Sequence, residues 1–337
     1  MRIPERLTLA NLPTRIDPLE RLSARLGGPR LYIKRDDQTG TELSGNKIRK
    51  LEYALKEALD QGCDTLITCG GLQSNHARAT AAAAARLGLK CILLLAAETL
   101  PEAQGNLLLD RLLGAEVRTV SFEAFAERRE ALMEGIRNEL AAQGRKGYLI
   151  PLGASNGIGT FGYWNCLQEI AAQEETLGFR FDRIVLAVGS GATYAGLYYA
   201  NRVLGRSTAV TGFNISADAG YFQETICRIL EESFVYTGSP VTAAPADIDI
   251  VDGYVGLGYA QNRPEELQFI AELAALEGVV LDPVYTGKAM RGLAEEIRRG
   301  HFGADERILF IHTGGLYGTF PKYGEFHTAG LFQTGAV

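Results

Sequence analysis

One lysine of this chain stands where physical chemistry would not place it by default. In LSGNKIRKLEYAL, Leu43 to Leu55, the apolar residues Ile48, Leu51, Tyr53, Ala54 and Leu55 predict a helix. Asn46, after the flexible Gly45, is the expected N-cap. The first turn then carries Lys47, Arg49 and Lys50. A helix N-terminus is the positive end of the dipole, where cations are mildly unfavourable and anions welcome. Either the helix is imperfect, or these groups serve something anionic or electrophilic.

A second feature narrows the choice. VGSGAT, residues 188–193, is the best phosphate site in the sequence. Glycines allow close approach of the backbone, Ser190 and Thr193 add hydroxyls, and the next helix would point its N-terminus at the anion. The loop lacks the lysine of a triphosphate P-loop, and Tyr194 stands where a dinucleotide fingerprint needs its third glycine. A single phosphate group is the better match, although a glycine turn packing helix on strand remains a competing reading of the loop alone. A lysine at a helix start together with a separate monophosphate loop points to a Schiff base with pyridoxal phosphate. Desolvation and neighbouring cations activate such an amine. The dipole, Arg49 and Lys50 are expected to act in that direction.

The elements that must position these groups alternate between strand-like and helical runs, the mark of α/β architecture with largely parallel sheets. DTLITCGG, KCILLLAA, EVRTVS, GYLIPL, DRIVLAV, TAVTGFNIS, GVVL and ILFIHTGG read as strands. ATAAAAARLG, GNLLLDRLLGA and AFAERREALMEGIRNELAAQG read as helices, the last with a charged, solvated face. At four strand ends, glycine clusters with small hydroxyl or amide residues: 69–75, 153–157, 189–193 and 313–315. Ligands of open α/β sheets bind at such carboxyl ends.

Composition removes other classes. The chain has 337 residues, 46% hydrophobic and 22% charged, with a net charge of −6. That is soluble globular material of about two lobes, poorly suited to nucleic acid or an anionic membrane. No run of ~18 apolar residues predicts a membrane span, and MRIPERLTLANLP lacks a signal-peptide layout. Five cysteines without a C-x-x-C pair fit reduced thiols in a cytoplasm. Four histidines without ligand spacing predict no metal.

IKRDD, SGNKIRKLEYAL, TCGGLQSNHAR, LLLDRLLGA, VGSGATYAG, LDPVYTGKAM and FIHTGG, in this order, resemble the D-cysteine desulfhydrase and 1-aminocyclopropane-1-carboxylate deaminase family of pyridoxal-phosphate enzymes. The similarity spans roughly residues 5–320. It implies the tryptophan synthase β-like fold (fold-type II), with two open parallel-sheet α/β lobes and the cofactor in the cleft between them. The larger, cofactor-binding domain would comprise 1–47 and 161–337, the smaller 48–160, and the assembly would be a homodimer. By the same resemblance, Lys47 bonds the cofactor and Asn46 holds its 3′ oxygen. Gly189, Ser190, Gly191, Ala192 and Thr193 cradle the phosphate, and Thr313 completes the cofactor site. Gln73, Ser74 and Asn75 bind the substrate carboxylate, with Tyr285 and Tyr259 facing the substrate. Ser44 and Ala192 replace glycines usual in the family.

Two positions separate activities within that resemblance. Ring-opening deaminases carry Glu after the tyrosine matching Tyr285 and Leu at the position of Thr313. This chain has Thr286 and Thr313, the combination of the desulfhydrases. A carboxylate keeps a pyridine nitrogen protonated; a threonine hydroxyl can donate to the unprotonated nitrogen, giving a weaker electron sink that suffices for a good leaving group. The resemblance therefore implies α,β-elimination on a β-substituted amino acid, D-cysteine first. L-Cysteate losing sulfite and ring opening of 1-aminocyclopropane-1-carboxylate are the alternatives.

Overall fold

The computed structural model describes residues 2–331. Among the described residues, ten strands form two sheets. Six, β1 (Ile16–Pro18), β2 (Arg30–Lys34), β7 (Arg183–Val188), β8 (Ala209–Asn214), β9 (Asp249–Val251) and β10 (Arg307–Ile311), stand in the order β1-β2-β10-β7-β8-β9. The other four, β3 (Thr65–Gly71), β4 (Lys90–Ala96), β5 (Glu116–Val120) and β6 (Gly147–Leu149), stand in the order β5-β4-β3-β6. Every pairing is parallel except β1 with β2. Parallel strands covered on both faces need near-continuous apolar runs. TLITCGG and RILFI supply them, buried along almost their whole length. The strands of the smaller sheet fall between residues 65 and 149, with the larger sheet assembled from chain on both sides of it.

One apolar core joins the sheets through the helix Lys47–Asp60, which buries Ile48, Leu51, Ala54, Leu55 and Ala58. The helix Asn75–Leu87 packs beside it, burying Ala77, Ala79 and the alanines 81–84. The helix Phe161–Leu177 covers a further side.

The expected cap is not one. Asn46 has helical backbone angles and makes no capping bond; its side chain turns into the cleft and donates to Thr193 Oγ1 at 3.1 Å. The turn before Lys47 is held by tertiary bonds instead: Asn46 N–H donates to Thr313 O at 3.1 Å and Gly45 N–H to Asp36 O at 3.1 Å. Gly45 has φ +109°, and a Cβ there would lie 2.8 Å from Thr313 O, so only glycine fits. GVVL is no strand either. It runs extended without a ladder partner, its Val279 and Leu281 buried in the core, and His312 Nε2 donates to Val280 O at 3.1 Å.

Arg49 is paired off beneath the helix. Its guanidinium donates to Asp36 at 2.7 and 2.9 Å and to Glu169 Oε2 at 3.0 Å. Tyr163 and Thr14 hydroxyls complete the Asp36 carboxylate at 2.6 and 2.8 Å. Lys34 contacts Glu169 and donates to Thr14 O at 2.7 Å. Burial alone would push the Asp36 carboxyl up, but the Arg49 charge outweighs it and holds it below its ordinary range. The network fixes the start of the helix to the larger sheet. Removing one partner of a buried pair strands the other charge, at about 3–5 kcal/mol. Arg49→Met is therefore expected to destabilise by about that much, read from the denaturant unfolding midpoint, while Arg15→Met at an exposed pair leaves the midpoint unchanged.

Candidate active site

The carboxyl ends of β3, β7 and β10 meet around a cavity of about 260 Å³ between the two sheets. All four glycine clusters contribute to its wall: Gly70, Gly71, Ser74 and Asn75; Gly153; Gly189, Ser190, Gly191 and Thr193; and Thr313. Asn46, Lys47, Tyr259 and Tyr285 also line it. Two sequence-predicted residues lie outside. Ala192 is buried as the first residue of the helix Ala192–Val203, contributing backbone only. Gln73 turns its side chain away, accepting from Asn106 N–H at 2.9 Å and donating to Gln104 O at 3.0 Å.

Lys47 is half-buried, with desolvation by the cavity walls pulling its pKa down to about 8 against the pull of Asp282. The expected contribution of Arg49 is absent, because Arg49 is paired with Asp36 and Glu169. Lys50, one turn on, is fully buried and donates to Gly153 O. Desolvation first, then the Lys47 charge, hold it well below its ordinary value. His76 shares the wall, its Nε2 at 2.8 Å from Thr68 Oγ1. Burial and the two lysine charges keep it neutral.

Two helix N-termini converge here. Ser74 caps Asn75–Leu87, its Oγ accepting from Ala77 N–H at 3.1 Å, which leaves its O–H free to donate. The N–H groups of Asn75 and His76 have no protein acceptor among the described residues. The same holds for Gly189, Ser190 and Gly191 before the helix Ala192–Val203. Ser155 Oγ donates to Ser190 Oγ at 2.7 Å, pinning that loop.

The tyrosines are fixed from behind. Asp282 accepts from the N–H groups of Val284, Tyr285 and Thr286 at 2.8–2.9 Å, capping the helix Thr286–Arg298. Thr286 gives its hydroxyl to the same carboxylate at 2.7 Å and is absent from the cavity wall. Of the two threonines that the sequence singled out, only Thr313 lines the cavity. The irregular segment carrying Tyr259 is held by Lys288, which donates to Val255 O and Gly258 O at 2.6 and 2.7 Å, and by Lys322, which donates to Ala260 O at 2.7 Å. The Tyr259 and Tyr285 hydroxyls bond one another. Desolvation raises both pKa values above the phenol range, so both are protonated at neutral pH.

A family model described as pyridoxal-phosphate dependent enzyme matches residues 7–314. The chain belongs to that family. It is 43% identical over 329 residues to a bifunctional D-cysteine desulfhydrase/1-aminocyclopropane-1-carboxylate deaminase of Arabidopsis thaliana, covering 94% of this chain and 79% of the relative. A D-cysteine desulfhydrase of Yersinia enterocolitica is 42% identical, covering 94% and 96%. A putative 1-aminocyclopropane-1-carboxylate deaminase of Thermotoga maritima is 44% identical, covering 94% and 98%. The crystal structure of a 1-aminocyclopropane-1-carboxylate deaminase homologue superposes with a TM-score of 0.87 at 39% identity over 97% of each chain. O-ureido-L-serine synthase, at 17% identity and a TM-score of 0.66, shares the fold. This chain is thus a pyridoxal-phosphate-dependent lyase with the fold-type II architecture.

The residues present fit that cofactor. The unpaired N–H groups of 189–191 and the helix behind them suit a phosphate, and Lys47 supplies a desolvated amine on the same cavity. Lys50 is the group sequence reasoning undervalued. It stands against Gly153, whose Cβ, if added, would lie 2.6 Å from Ser190 Oγ, so its amine backs the phosphate loop. Its only sequence signal was the cationic first turn.

Two outcomes follow. On the expectation that Lys47 bonds the cofactor, uptake of pyridoxal phosphate by the apoenzyme, timed by growth of the visible absorption band, should fall about tenfold per pH unit below pH 8 and flatten above it, because only a free amine reacts. Lys50→Met is expected to weaken cofactor retention by up to about tenfold in equilibrium dialysis, since it removes the donor that fastens Gly153 O behind the 189–191 loop, a bond of about 0.5–1.5 kcal/mol.

Proposed function

We propose that this chain eliminates sulfide from D-cysteine, with water consumed and pyruvate, hydrogen sulfide and ammonia released. The observation that carries the proposal is the hydrogen-bonded pair of protonated tyrosines on the wall that also carries Lys47, in a cavity without another wall cation. A sulfonate side chain, as in L-cysteate, would enter without a guanidinium or second ammonium to receive it, at an electrostatic cost. A cysteine sulfur needs only a proton as it leaves, and Tyr285, paired with Tyr259, has one to give.

When bound, pyridoxal phosphate supplies the electron sink that lets the α-carbon give up its proton. The residues do the rest. Ser74 O–H and the free N–H groups of Asn75 and His76 hold the substrate carboxylate at the positive end of their helix. Lys47, as free amine, takes the α-proton. The C–S bond breaks with its electron pair on sulfur, which takes the Tyr285 proton. Thr313 on the cavity wall would offer the cofactor a hydroxyl, not a carboxylate, which supports elimination over ring opening. The printed activities of the Arabidopsis and Yersinia relatives support the same substrate. A homodimer is the assembly the resemblance implies, and the free thiols of all five cysteines support a reducing cytoplasm. Among the described residues no helix is long and apolar enough to cross a membrane.

Pyruvate release measured in parallel from D-cysteine, L-cysteate, D-serine and 1-aminocyclopropane-1-carboxylate is expected to give the highest kcat/KM for D-cysteine. Tyr285→Phe is expected to lower its kcat about a hundredfold or more, the usual worth of a placed acid. A higher kcat/KM for L-cysteate or the cyclopropane would overturn the substrate and leave the cofactor chemistry intact.

A further inference from the structure

Behind the 73–75 turn lies a set of groups that this chemistry leaves unused. Asn106, the second residue of the helix Gly105–Leu112, is fully buried. Its Nδ2 donates to Asn75 Oδ1 and to Gln73 O, both at 2.9 Å. Its backbone N–H donates to Gln73 Oε1 at 2.9 Å, and its Oδ1 accepts from Arg78 Nε at 3.2 Å. One residue thus holds both neighbours of Ser74.

Arg78 carries the connection onward. Its guanidinium donates to Glu42 O at 2.6 Å and Ser44 O at 2.8 Å, carbonyls of the segment that leads into Lys47. The Tyr317 ring lies 5.3 Å from the guanidinium carbon. The junction has no spare room: Gly105 has φ +55°, and a Cβ there would lie 2.5 Å from Gln73 Oε1 and 2.6 Å from Tyr317 O. None of Asn106, Arg78 and Gly105 lines the cavity, so their effect on substrate can only pass through the turn they hold.

We propose that Asn106 is a positioning residue for the substrate: it fixes the 73–75 turn so that the Ser74 hydroxyl and the amides after it meet the carboxylate, and through Arg78 it registers that turn against the Lys47 segment. This rests on the carboxylate site proposed above. An asparagine is required because the position must donate twice from Nδ2 and accept once at Oδ1. Aspartate, of the same shape, keeps the acceptor and loses both donors.

In the holoenzyme, Asn106→Asp is expected to raise KM for D-cysteine about tenfold, with kcat within about twofold and the visible band and melting midpoint unchanged. Gln73→Ala removes a separate hold on the same turn, the bonds of the Gln73 side chain to Asn106 N–H and Gln104 O, from the partly exposed side where folding is not at stake, and is expected to raise KM likewise. The two together should raise KM by less than the product of their separate effects, because both loosen the same 73–75 turn. Ser74→Ala, measured alongside, tests the carboxylate site itself. If Ser74→Ala raises KM while Asn106→Asp and Gln73→Ala do not, the proposal is overturned and the carboxylate site stands. If Ser74→Ala leaves KM unchanged, the site falls and the proposal falls with it. A lost visible band or a lowered melting midpoint in Asn106→Asp, with KM unchanged in Gln73→Ala, makes Asn106 a packing residue and also overturns the proposal.

Discussion

An amine that must attack an aldehyde carbon has to be free of its proton near neutral pH, and an unpaired lysine in water is not. The structure meets this constraint by desolvation. Lys47 opens the helix Lys47–Asp60, where the dipole is positive, and the cavity walls strip away water. Any carboxylate placed beside it would undo the effect. The one that pulls on it, Asp282, has its oxygens committed to the N–H groups of Val284, Tyr285 and Thr286. The other two cations of the turn are handled separately. Arg49 goes down to Asp36 and Glu169, and Lys50 goes across to Gly153 O.

The consequence is a cavity whose wall, among the described residues, holds one cationic side chain and no carboxylate. Its positive character comes from backbone: two helix N-termini with the unpaired amides that open the one and precede the other. Such amides bind anions without titrating, so phosphate and substrate carboxylate can be held while Lys47 changes protonation state. This is also why the strands are parallel. Only parallel strands bring many carboxyl ends, each followed by a helix start, to one edge.

Much of this was readable in the sequence. Lys47, the four glycine clusters and the parallel α/β order depend on local spacing, which a linear chain displays. The Ser190 loop and the 73–75 loop announced themselves by glycine and hydroxyl content at the end of apolar runs. What stayed hidden depends on distant partners. Arg49 and Glu169 are 120 residues apart, so Arg49 read as a helper of Lys47 when it is a strut. Asn46 looked like a cap because asparagine before a helix usually is one, yet a cleft-facing partner, Thr193, outbids the local bond. GVVL has a strand's composition, but it pairs with no strand and is fastened instead by His312 to Val280 O. Thr286 looked equivalent to Thr313 until Asp282 was seen to hold its hydroxyl. Asn106 carried no signal, since a lone asparagine in an apolar helix has no pattern.

The central claim is that Lys47, and not its buried neighbour Lys50, makes the covalent bond to the cofactor. The most direct measurement is borohydride reduction of the holoenzyme followed by peptide mass mapping of the modified lysine. The account predicts the reduced pyridoxyl group on Lys47 alone, with Lys50 unmodified. A label on Lys50 or on any other lysine would contradict it.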